Sequence, residues 1–474
     1  MENKRNVQVS QEQIDEQKRI LQNIAQINAQ KGKQPKAFLV TYGCQQNNND
    51  TERIRGMLFD AGYSFTENKA DADFILYNTC AVRENAEMRV FGNLGALKIL
   101  KRKKPALIIA VCGCMMQQEH IAKQIRQKYK HVDIIFGTHA LYKFPSMLQA
   151  ALDTNRTLMV SDVENSDGCI AEDLPIKRED GIKAWVSIMY GCNNFCSYCI
   201  VPYVRGRERS RKSDDIINEI TALTKAGYKE ITLLGQNVNS YGKDLDSGID
   251  FADLLRMVND IEGIHRIRFM TSHPKDLSDK LIDAMASCKH VCPHLHLPIQ
   301  SGSNDILKRM NRKYTREEYL QKIEKAKRSI PGLAVTTDII VGFPNETDAD
   351  FEDTLNVLKQ VEYDTIFSFI YSKRNGTPAA TMPDPITDEQ KHERFARMIE
   401  VQNEISLKLN SAMVGSVQEV LVEGKSKTNP NILTGRTDTN KIVNFEGDAA
   451  LEGKFIDVLI TEAKTWSLNG EIMK

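Results

Sequence analysis

The sequence has little that would place the chain in a membrane or outside the cell. The longest apolar stretch, residues 106–116, is too short to span a bilayer, and the first residues lack the apolar core of a signal peptide. The formal net charge is +0, with 63 basic and 63 acidic side chains, so no global positive field indicates nucleic acid. We therefore expect a cytoplasmic, globular protein with no membrane partner, in which any RNA site is a local patch.

The ten cysteines are more informative than the overall composition. In a reducing compartment, clustered thiols serve metals or catalysis more often than disulfides. One group is close in sequence, a second falls early in the chain, and the others are scattered. The groups are, in that order, Cys192, Cys196 and Cys199; Cys44, Cys80, Cys112 and Cys114; and Cys169, Cys288 and Cys292.

The length of 474 residues and the changes of pattern along the chain predict three domains. Residues 1–35 are rich in Gln, Asn, Lys and Glu and are expected to be a poorly ordered arm, although residues 14–27 have the spacing of an amphipathic helix. Residues 36–155 alternate short apolar runs with helical stretches, which predicts an α/β domain with a parallel sheet. The acidic, aperiodic residues 156–180 are expected to form a linker.

The remaining two domains differ in their patterns. Residues 181–408 contain six strand-like runs separated by helical stretches, which predicts a partial (βα)6 barrel with its catalytic face at the C-terminal ends of the strands. In residues 409–474, short strands punctuated by Gly and Asn predict a small β-barrel, a fold often used to grip oligonucleotides. The predicted fold class is therefore α/β with a small β domain at the end.

Cys192, Cys196 and Cys199 follow the first predicted strand of the central barrel with the spacing CxxxCxxC. Three thiolates from one loop can hold three irons of a [4Fe–4S] cluster and leave the fourth iron open to a substrate. A structural zinc site would need four ligands, usually in two pairs, and no partner pair lies at a matching distance. The spacing therefore predicts a [4Fe–4S] cluster.

Cys44, Cys80 and Cys114 each follow one of three successive apolar runs in the first domain. The C-terminal ends of the strands of a doubly wound sheet lie side by side, so these cysteines would converge at one edge. This predicts a second cluster with an open iron. The alternative is that each cysteine packs as a small hydrophobe near the end of a strand.

The CxxxCxxC motif resembles that of the radical S-adenosylmethionine (SAM) superfamily, with Tyr198 at the aromatic position before the third cysteine. The resemblance implies that SAM binds the open iron and is cleaved reductively to methionine and a 5′-deoxyadenosyl radical. It also implies contacts with SAM from Gly235 and Gln236 after the second strand. By analogy, Gln300 and Ser301 after the fourth strand would reach the ribose or carboxylate.

Together, the three cysteine-containing blocks, the motif and the final β domain resemble the radical SAM methylthiotransferase family from about residue 36 onward. The resemblance implies that Cys44, Cys80 and Cys114 hold an auxiliary [4Fe–4S] cluster and that the last domain is an RNA-binding TRAM domain. Cys112 departs from the family pattern and could in principle replace Cys114. The pair Gly113–Cys114 matches the motif in register and favours Cys114.

Four further motifs resemble the branch of this family that acts on prenylated adenosine in tRNA: LLGQNVNSYG, TSHPKDLSDKLI, HLPIQSGSN and DIIVGFPNET. The resemblance implies methylthiolation of carbon 2 of N6-(dimethylallyl)adenosine at position 37 of tRNA, with two SAM molecules and two clusters. One SAM would methylate a sulfur of the auxiliary cluster, and the other would supply the radical that abstracts the hydrogen. The target base would be splayed from the anticodon loop into the pocket between the clusters.

Basic residues beside the cluster loop and in the last domain are the candidate RNA contacts. A run of charge is usually a solvated face, but the position of residues 205–211 beside the cluster favours contacts with phosphates or with the SAM carboxylate. The candidates are Arg205, Arg207, Arg209 and Arg211, followed by Lys425, Lys427, Arg436 and Lys441.

The expected reaction also needs an electron donor such as flavodoxin or ferredoxin, and proteins that supply clusters and sulfur. The nearest alternative is a methylthiotransferase acting on threonylcarbamoyl-adenosine tRNA or on a ribosomal-protein aspartate. A non-enzymatic iron–sulfur carrier or electron-transfer protein is a second alternative.

The three scattered cysteines are expected to be structural. Cys288 and Cys292 are expected to pack in the core, with zinc as the alternative because three histidines lie near them in sequence. Cys169 matches no motif. The histidines are His290, His294 and His296.

Overall fold

The computed structural model describes residues 8–81, 84–154, 158–160, 168–178, 181–426 and 429–473, with the backbone alone at residues 84–86, 154 and 158–160. Within these ranges no helix is both long and apolar enough to cross a membrane. The chain forms an α/β domain, a central barrel and a C-terminal barrel in sequence order.

The first domain is a parallel sheet covered by helices on both faces. Its strands are β1 (Lys36–Tyr42), β2 (Ser64–Phe65), β3 (Phe74–Thr79), β4 (Ile108–Gly113), β5 (Ile134–Phe136) and β6 (Leu158–Val160). Its helices are α1 (Gln11–Gln30), α2 (Gln45–Asp60), α3 (Glu84–Lys103), α4 (Glu119–Lys128) and α5 (Phe144–Thr154). The strand order is β2-β1-β3-β4-β5-β6, and every neighbouring pair is parallel. The strands β3 and β4 are buried throughout, as expected for central strands covered on both faces.

Helix α1 is an ordered part of the first domain, which corrects the expectation of a poorly ordered arm. It begins after the N-cap Ser10, whose Oγ accepts a hydrogen bond of 3.3 Å from the backbone N–H of Gln13. Its apolar side chains Ile14, Leu21 and Ile24 are buried in the core that α2 and α5 share. The apolar spacing was the better signal, because only one face of a docked helix needs to be apolar. Residues 1–7 lie outside the described residues.

The predicted linker is also largely attached to the first domain. The strand β6 falls within it and extends the parallel sheet. In residues 168–178, the carbonyl of Ile170 accepts a hydrogen bond from the backbone of Val9, and Lys177 donates one to the carbonyl of Glu52. The other parts of the predicted linker, residues 156–157, 161–167 and 179–180, lie outside the described residues.

The central domain contains the six parallel strands that the sequence predicts, together with one short antiparallel pair. Its strands are β7 (Lys183–Ser187), β8 (Met189–Tyr190), β9 (Arg209–Ser210), β10 (Glu230–Leu234), β11 (Arg266–Phe269), β12 (His294–His296), β13 (Ala334–Val341) and β14 (Thr365–Ile370). Its helices are α6 (Val201–Arg205), α7 (Ser213–Lys225), α8 (Phe251–Asn259), α9 (Asp279–Ser287), α10 (Asn304–Arg309), α11 (Arg316–Ser329), α12 (Asp348–Val361) and α13 (Asp388–Ser411). The strands β7, β10 and β11 are parallel, as are β12, β13 and β14, and one parallel bridge between Ile267 and Val291 joins the two sets. The prediction of a partial (βα)6 barrel is confirmed.

The C-terminal domain is a closed barrel of five strands, which confirms the prediction of a small β-barrel. The strands are β15 (Val417–Lys425), β16 (Ile432–Arg436), β17 (Ile442–Glu446), β18 (Phe455–Ala463) and β19 (Leu468–Ile472). They close in the order β15-β16-β17-β19-β18 around a small apolar core that includes Val420, Phe445 and Leu468. Closure leaves no free edge strand in this barrel.

Two arginines of β11 fix the C-terminal barrel to the central barrel. Arg268 Nε lies 3.1 Å from Glu230 Oε2, and its two terminal nitrogens donate hydrogen bonds of 2.7 Å to the carbonyls of Thr437 and Asp438. Arg266 likewise donates to backbone carbonyls of the C-terminal barrel. The two barrels are therefore joined through buried charge rather than through an apolar face alone.

Replacing Arg268 by Ala would leave the Glu230 carboxylate buried without its cation and remove two hydrogen bonds between the barrels. We expect Arg268→Ala to lower the free energy of unfolding by about 3 kcal/mol, the usual loss when a buried pair is broken from one side. Urea denaturation measures this change. Arg328→Ala is the control, because the Arg328 side chain is 72% exposed and should contribute little. Equal effects of the two substitutions would contradict the role given to Arg268.

Candidate active site

The structure brings Cys44, Cys80 and Cys114, here called the first triad, to one edge of the parallel sheet. They directly follow β1, β3 and β4, which are neighbours in the sheet, so their positions converge at its carboxyl edge. Burial raises the pKa of the Cys114 thiol to about 12, and the nearby Cys80 and Cys44 also act to raise it. Asn47 lies between two of the three sulfurs: its Oδ1 is 3.3 Å from Cys44 Sγ and its Nδ2 is 4.0 Å from Cys114 Sγ.

The Asn47 side chain forms the hydrogen bonds that connect Cys44 to the neighbouring strand of the sheet. Its Oδ1 accepts hydrogen bonds from the Cys44 thiol, at 3.3 Å, and from the Cys44 backbone N–H, at 3.4 Å. Its Nδ2 donates to Asn78 Oδ1 at 3.0 Å and to the carbonyl of Thr79 at 3.2 Å. Asn47 is fully buried and ties the first cysteine of the triad to the strand that carries the second. The sequence contained a signal for this residue, an Asn one helical turn after Cys44.

Gly113 is the residue that allows Cys114 to turn away from β4. Its φ of 101° lies in the region that favours glycine. A Cβ at this position would lie 2.3 Å from Asn78 Oδ1 and 2.3 Å from the carbonyl oxygen of Thr79. The short helical turn that begins at Cys114 therefore requires glycine before it.

Cys112 and Cys114 occupy different surroundings. Cys112 is part of β4 and is buried in the core shared with Phe136 and Phe144. Cys114 instead packs with Ala81 and with residues of the central domain. This placement supports Cys114 as the third member of the triad.

Cys192, Cys196 and Cys199, here called the second triad, lie in the loop after β8. The backbone N–H of Cys192 donates to the carbonyl of Gly206 at 3.1 Å, and that of Cys199 donates to the carbonyl of Cys196 at 3.0 Å. Burial raises the pKa of Cys192 to about 12; it also raises the pKa of Cys199, to which Cys196 and Cys192 contribute. A Cβ on Gly191, whose φ is 78°, would lie 2.0 Å from the carbonyl oxygen of Arg207, so this loop also begins with a required glycine.

A buried arginine donates to the second triad, and sequence reasoning missed it. Arg312 Nη1 lies 3.4 Å from Cys196 Sγ, and its other nitrogens donate to Tyr314 Oη at 2.7 Å and to the carbonyl of Pro298 at 2.6 Å. Tyr198 packs beside these residues against a small apolar cluster that contains Met310. Burial raises the pKa of Tyr198 well above its ordinary value, so its hydroxyl stays protonated.

The residues expected to contact SAM lie around the second triad, at the ends of β10 and β12. Gly235 approaches Met189 so closely that a Cβ would lie 2.6 Å from Met189 Cγ. Gln236 Oε1 accepts a hydrogen bond of 2.5 Å from the backbone N–H of Gly191, the residue before Cys192. The side chain of Gln236 thus holds the start of the cysteine loop.

Gln300 and Ser301 follow β12 at the same end of the barrel. Gln300 has a φ of 73° and exchanges backbone hydrogen bonds of 2.9 Å with Asp338 and Ile340 of β13. Ser301 Oγ is buried 3.4 Å from Thr354 Oγ1 and is thus held against α12. Left-handed backbone at a residue such as Gln300 costs free energy and is concentrated at functional sites.

Three of the four arginines in residues 205–211 are buried within the protein. Arg205 pairs with Asp50, Arg209 donates to backbone carbonyls, and Arg211 pairs with two glutamates, Glu172 and Glu219. Guanidiniums that are buried and already paired do not face a phosphate. The expectation of RNA contacts from these three arginines is therefore corrected.

The fourth arginine, Arg207, belongs to an exposed patch beside the second triad. Its guanidinium lies 4.3 Å from the centre of the Phe195 ring. Tyr203, which is 46% exposed, makes an edge contact with Phe195 at 6.2 Å between ring centres. Phe195 itself has a φ of 46°, an uncommon conformation for a bulky residue.

The candidate RNA contacts of the C-terminal barrel fall into separate groups. Lys425 is exposed, whereas Arg436 pairs with Glu423 at 3.2 Å. Lys441 pairs with Asp364 of the central domain at 2.7 Å and thus joins the two barrels. Lys427 lies outside the described residues.

The short helix α6 connects the two triads. Ile200 and Val204, which follow Cys199 in the chain, pack in one apolar cluster with Ala81 and Cys114 of the first domain. The carbonyl of Val204 also accepts a hydrogen bond of 2.8 Å from Thr138 Oγ1. The loop that carries the second triad therefore leads directly onto the first triad.

The remaining cysteines lie apart from the two triads in sequence, and the expectation that they are structural stays a prediction. Cys288 and Cys292 are buried, and His294 and His296 are within hydrogen-bond distance of Thr336 Oγ1. The Cys169 thiol donates a hydrogen bond of 3.4 Å to the carbonyl of His139.

No three His, Cys, Asp or Glu side chains in the described part of the chain stand close enough to hold a single metal ion. This holds for the two triads as well as for the region around Cys288. In a [4Fe–4S] cluster each cysteine binds a different iron, so its sulfurs stand farther apart than the ligands of a single ion.

Three family models match successive parts of the chain. The model of the uncharacterized protein family UPF0004 matches residues 36–137, the radical SAM superfamily matches residues 186–358 and the TRAM domain matches residues 411–473. These ranges fall in the first domain, the central barrel and the C-terminal barrel, respectively.

The fold of the chain is similar to that of a solved radical SAM enzyme. The methyltransferase TsrM from Kitasatospora setae, solved with cobalamin and a [4Fe-4S] cluster bound, has a TM-score of 0.53 and 12% identity, over 82% of this chain and 81% of that chain. The same enzyme with tryptophan and a SAM analogue bound has a TM-score of 0.52, over 81% of this chain and 78% of that chain. At this identity the likeness supports the fold alone.

Curated relatives align with the chain along its whole length. Proteins of Acetivibrio thermocellus, Alkaliphilus oremlandii and Clostridioides difficile are 57%, 56% and 54% identical, over 99%, 100% and 99% of this chain and 98%, 100% and 99% of the relatives. All three carry the name tRNA-2-methylthio-N(6)-dimethylallyladenosine synthase. The chain therefore belongs to the family of tRNA-2-methylthio-N(6)-dimethylallyladenosine synthases.

Proposed function

We propose that this chain methylthiolates carbon 2 of N6-(dimethylallyl)adenosine at position 37 of tRNA. The observation that carries this proposal is the meeting of two cysteine triads across α6 in a chain with full-length similarity to enzymes named for this product. Carbon 2 of adenine carries an unactivated C–H bond, which neither a general base nor a plain electrophilic methyl donor can functionalise. A radical enzyme with a second sulfur-bearing site meets this requirement.

Each triad fits one [4Fe–4S] cluster. Each offers three thiols, which leaves one iron of a cluster open to a further ligand. Burial raises the pKa of Cys114 and Cys192, and iron binds cysteine as the thiolate, so binding of a cluster would release the protons of these thiols. When bound, SAM and the two clusters supply the radical chemistry that replaces the hydrogen of carbon 2 by a methylthio group.

The chain itself holds these groups in place. The second triad would bind the cluster that opens SAM, and Gly235, Gln236, Gln300 and Ser301 would shape the SAM pocket at the ends of β10 and β12. Gln236 contributes by holding Gly191, and Gly235 by letting the backbone pass close to Met189. The first triad would bind the auxiliary cluster, with Asn47 holding Cys44.

The surface patch formed by the half-buried Phe195 and the exposed Tyr203 and Arg207 is suited to the RNA. An adenosine must leave the anticodon loop to reach the two triads, and single-stranded bases stack on exposed aromatic rings. Arg207 offers an exposed guanidinium to a phosphate, and Lys425 offers a charge on the C-terminal barrel. The reaction takes place in the cytoplasm, where tRNA is available, with an electron donor such as flavodoxin or ferredoxin and with proteins that supply clusters and sulfur.

Mass spectrometry of tRNA nucleosides tests the product. A strain that lacks the gene should lose the 2-methylthio derivative of prenylated adenosine and regain it when the gene is restored. Loss of the threonylcarbamoyl derivative instead, or of a modified ribosomal aspartate, would reassign the substrate. Purified enzyme that cleaves no SAM under reducing conditions would favour an iron–sulfur carrier.

Replacing Cys192, Cys196 and Cys199 together by Ala should remove one cluster and leave the other. The first triad belongs to a separate domain with its own core, and this variant leaves α6 and Arg205 unchanged. We expect this variant to retain the first-domain cluster and to form no deoxyadenosine from SAM. Anaerobic iron and sulfide determination and chromatography of the SAM products measure both. Loss of all iron would show that the two clusters are not independent.

The complementary triple variant, with Cys44, Cys80 and Cys114 replaced by Ala, should retain about half of the iron, since one of two equivalent clusters remains. It should still cleave SAM reductively, because the second triad is intact. It should fail to methylthiolate tRNA, because no methylthio group would stand beside the carbon radical. SAM cleavage and tRNA mass spectrometry on the same preparation separate these outcomes.

Cys112→Ala is the matched control for the first triad. Because Cys112 is buried in the core on β4, its replacement should retain both clusters and the activity. The ligand assignment is wrong if Cys112→Ala loses the auxiliary cluster while Cys114→Ala keeps it.

Arg207→Ala should weaken tRNA binding without changing SAM cleavage in the absence of RNA. Loss of one phosphate contact lowers affinity uniformly and reduces the slope of log affinity against log salt by about one. Fluorescence anisotropy with a prenylated anticodon stem-loop at several salt concentrations measures this slope. Arg102→Ala is the control, since Arg102 is exposed near the far end of α3. An unchanged slope for Arg207→Ala would exclude this contact.

A further inference from the structure

Arg205 links the two domains at the first triad. Its Nε donates to Cys114 Sγ at 3.1 Å, and its Nη2 donates to Asp50 Oδ2 at 2.7 Å. Arg205 is the last residue of α6 in the central domain, whereas Asp50 lies on α2, the helix that begins after Cys44. One guanidinium therefore contacts a cysteine of the first triad and the helix that follows another cysteine of that triad.

The contact is shielded from water. The side chains of Arg205 and Asp50 are 6% and 8% exposed, and Cys114 is also buried. The carbonyl of Arg205 accepts two hydrogen bonds of 3.2 Å from the guanidinium of Arg209, which holds the end of α6. Because screening by solvent is weak here, the charge of Arg205 acts on the sulfur at close range.

The second triad has a comparable contact with a buried arginine. Arg312, also buried, donates from Nη1 to Cys196 Sγ at 3.4 Å, and among the described residues no carboxylate forms an ion pair with it. The arginine at the first triad is paired with a carboxylate, whereas the arginine at the second triad has no such pair in the described part of the chain. Each has its own arginine, so the effect of one can be measured against the other.

We propose that Arg205 is a positioning residue that sets the reduction potential of the auxiliary cluster and fixes that cluster against the loop of the second triad. This inference rests on the proposed binding of a [4Fe–4S] cluster by Cys44, Cys80 and Cys114. Hydrogen bonds and positive charge at a ligand sulfur stabilise the reduced, more negative form of a cluster and therefore raise its potential. Asp50 moderates this effect by neutralising part of the charge and by holding the guanidinium in place.

Arg205→Gln in the full chain tests the proposal. The substitution is made together with Cys192→Ala, Cys196→Ala and Cys199→Ala, so that only the auxiliary cluster contributes to the spectrum. We expect the reduced-to-oxidised ratio of this cluster at a fixed potential to fall about tenfold, which for one electron is a shift of about 59 mV to lower potential. Electron paramagnetic resonance during a redox titration measures it.

Arg205→Gln leaves Asp50 as a buried, unpaired carboxylate, which can prevent folding. The double variant Arg205→Gln with Asp50→Asn removes both charges and guards against this outcome. It should fold, and its potential should lie between those of the parent and the single variant, because the hydrogen bond to sulfur is lost while the opposing carboxylate is also gone. Arg205→Lys keeps the positive charge but lacks the forked donors of the guanidinium. It should therefore restore part of the potential lost in Arg205→Gln.

Two matched variants give the crossed control. In the background that lacks the first triad, Arg312→Gln should lower the potential of the remaining cluster, whereas Arg205→Gln should leave it nearly unchanged. Arg328→Gln, at an exposed position, should move neither potential. A potential of the auxiliary cluster that is the same with and without Arg205 would overturn the inference. Absence of any cluster in the parent background would instead overturn the assignment of the first triad, which keeps the two failures distinct.

Discussion

The packing of α6 against the edge of the parallel sheet is the constraint on which the active site depends. Directly after Cys199, the side chains of Ile200 and Val204 pack against Ala81 and Cys114. A methylthio group is useful only where a carbon radical forms, so the two triads that we propose as cluster sites must be held at a fixed separation. A five-residue helix that begins beside one triad and ends on the other achieves this with few intervening degrees of freedom.

The cysteines were predictable because their positions follow from the geometry of parallel sheets. Cys44, Cys80 and Cys114 come directly after strands that are apolar in sequence, and neighbouring strands of such a sheet end at one edge. The environments of the arginines were not predictable in this way. Nothing local distinguishes Arg207, which is exposed, from Arg205 and Arg211, whose partners lie on other elements distant in sequence.

For residues 1–35 the polar composition predicted a poorly ordered arm, whereas the periodicity of the apolar residues predicted the helix that forms. Helix α1 is polar on most of its surface, yet its apolar face packs beside α2 and α5. The free energy gained by burying this apolar face exceeds the conformational entropy lost when the helix becomes ordered. The contacts of Arg266 and Arg268 with the C-terminal barrel could not be predicted either, because they join strands to a domain that begins far along the chain. Long-range contacts between domains leave no local pattern in a sequence.

A buried ion pair such as Arg205 and Asp50 is weak evidence for stability, since removing two charges from water costs about as much as their attraction returns. An apolar pair of the same volume would join the domains at least as well. It would not donate to Cys114 Sγ, and it would leave the negative charge of a thiolate without a fixed positive neighbour. The placement of this pair is therefore explained by the sulfur beside it: the charge is oriented by α6 and Asp50 before any cluster or substrate is bound, so no reorganisation is needed when the reaction begins.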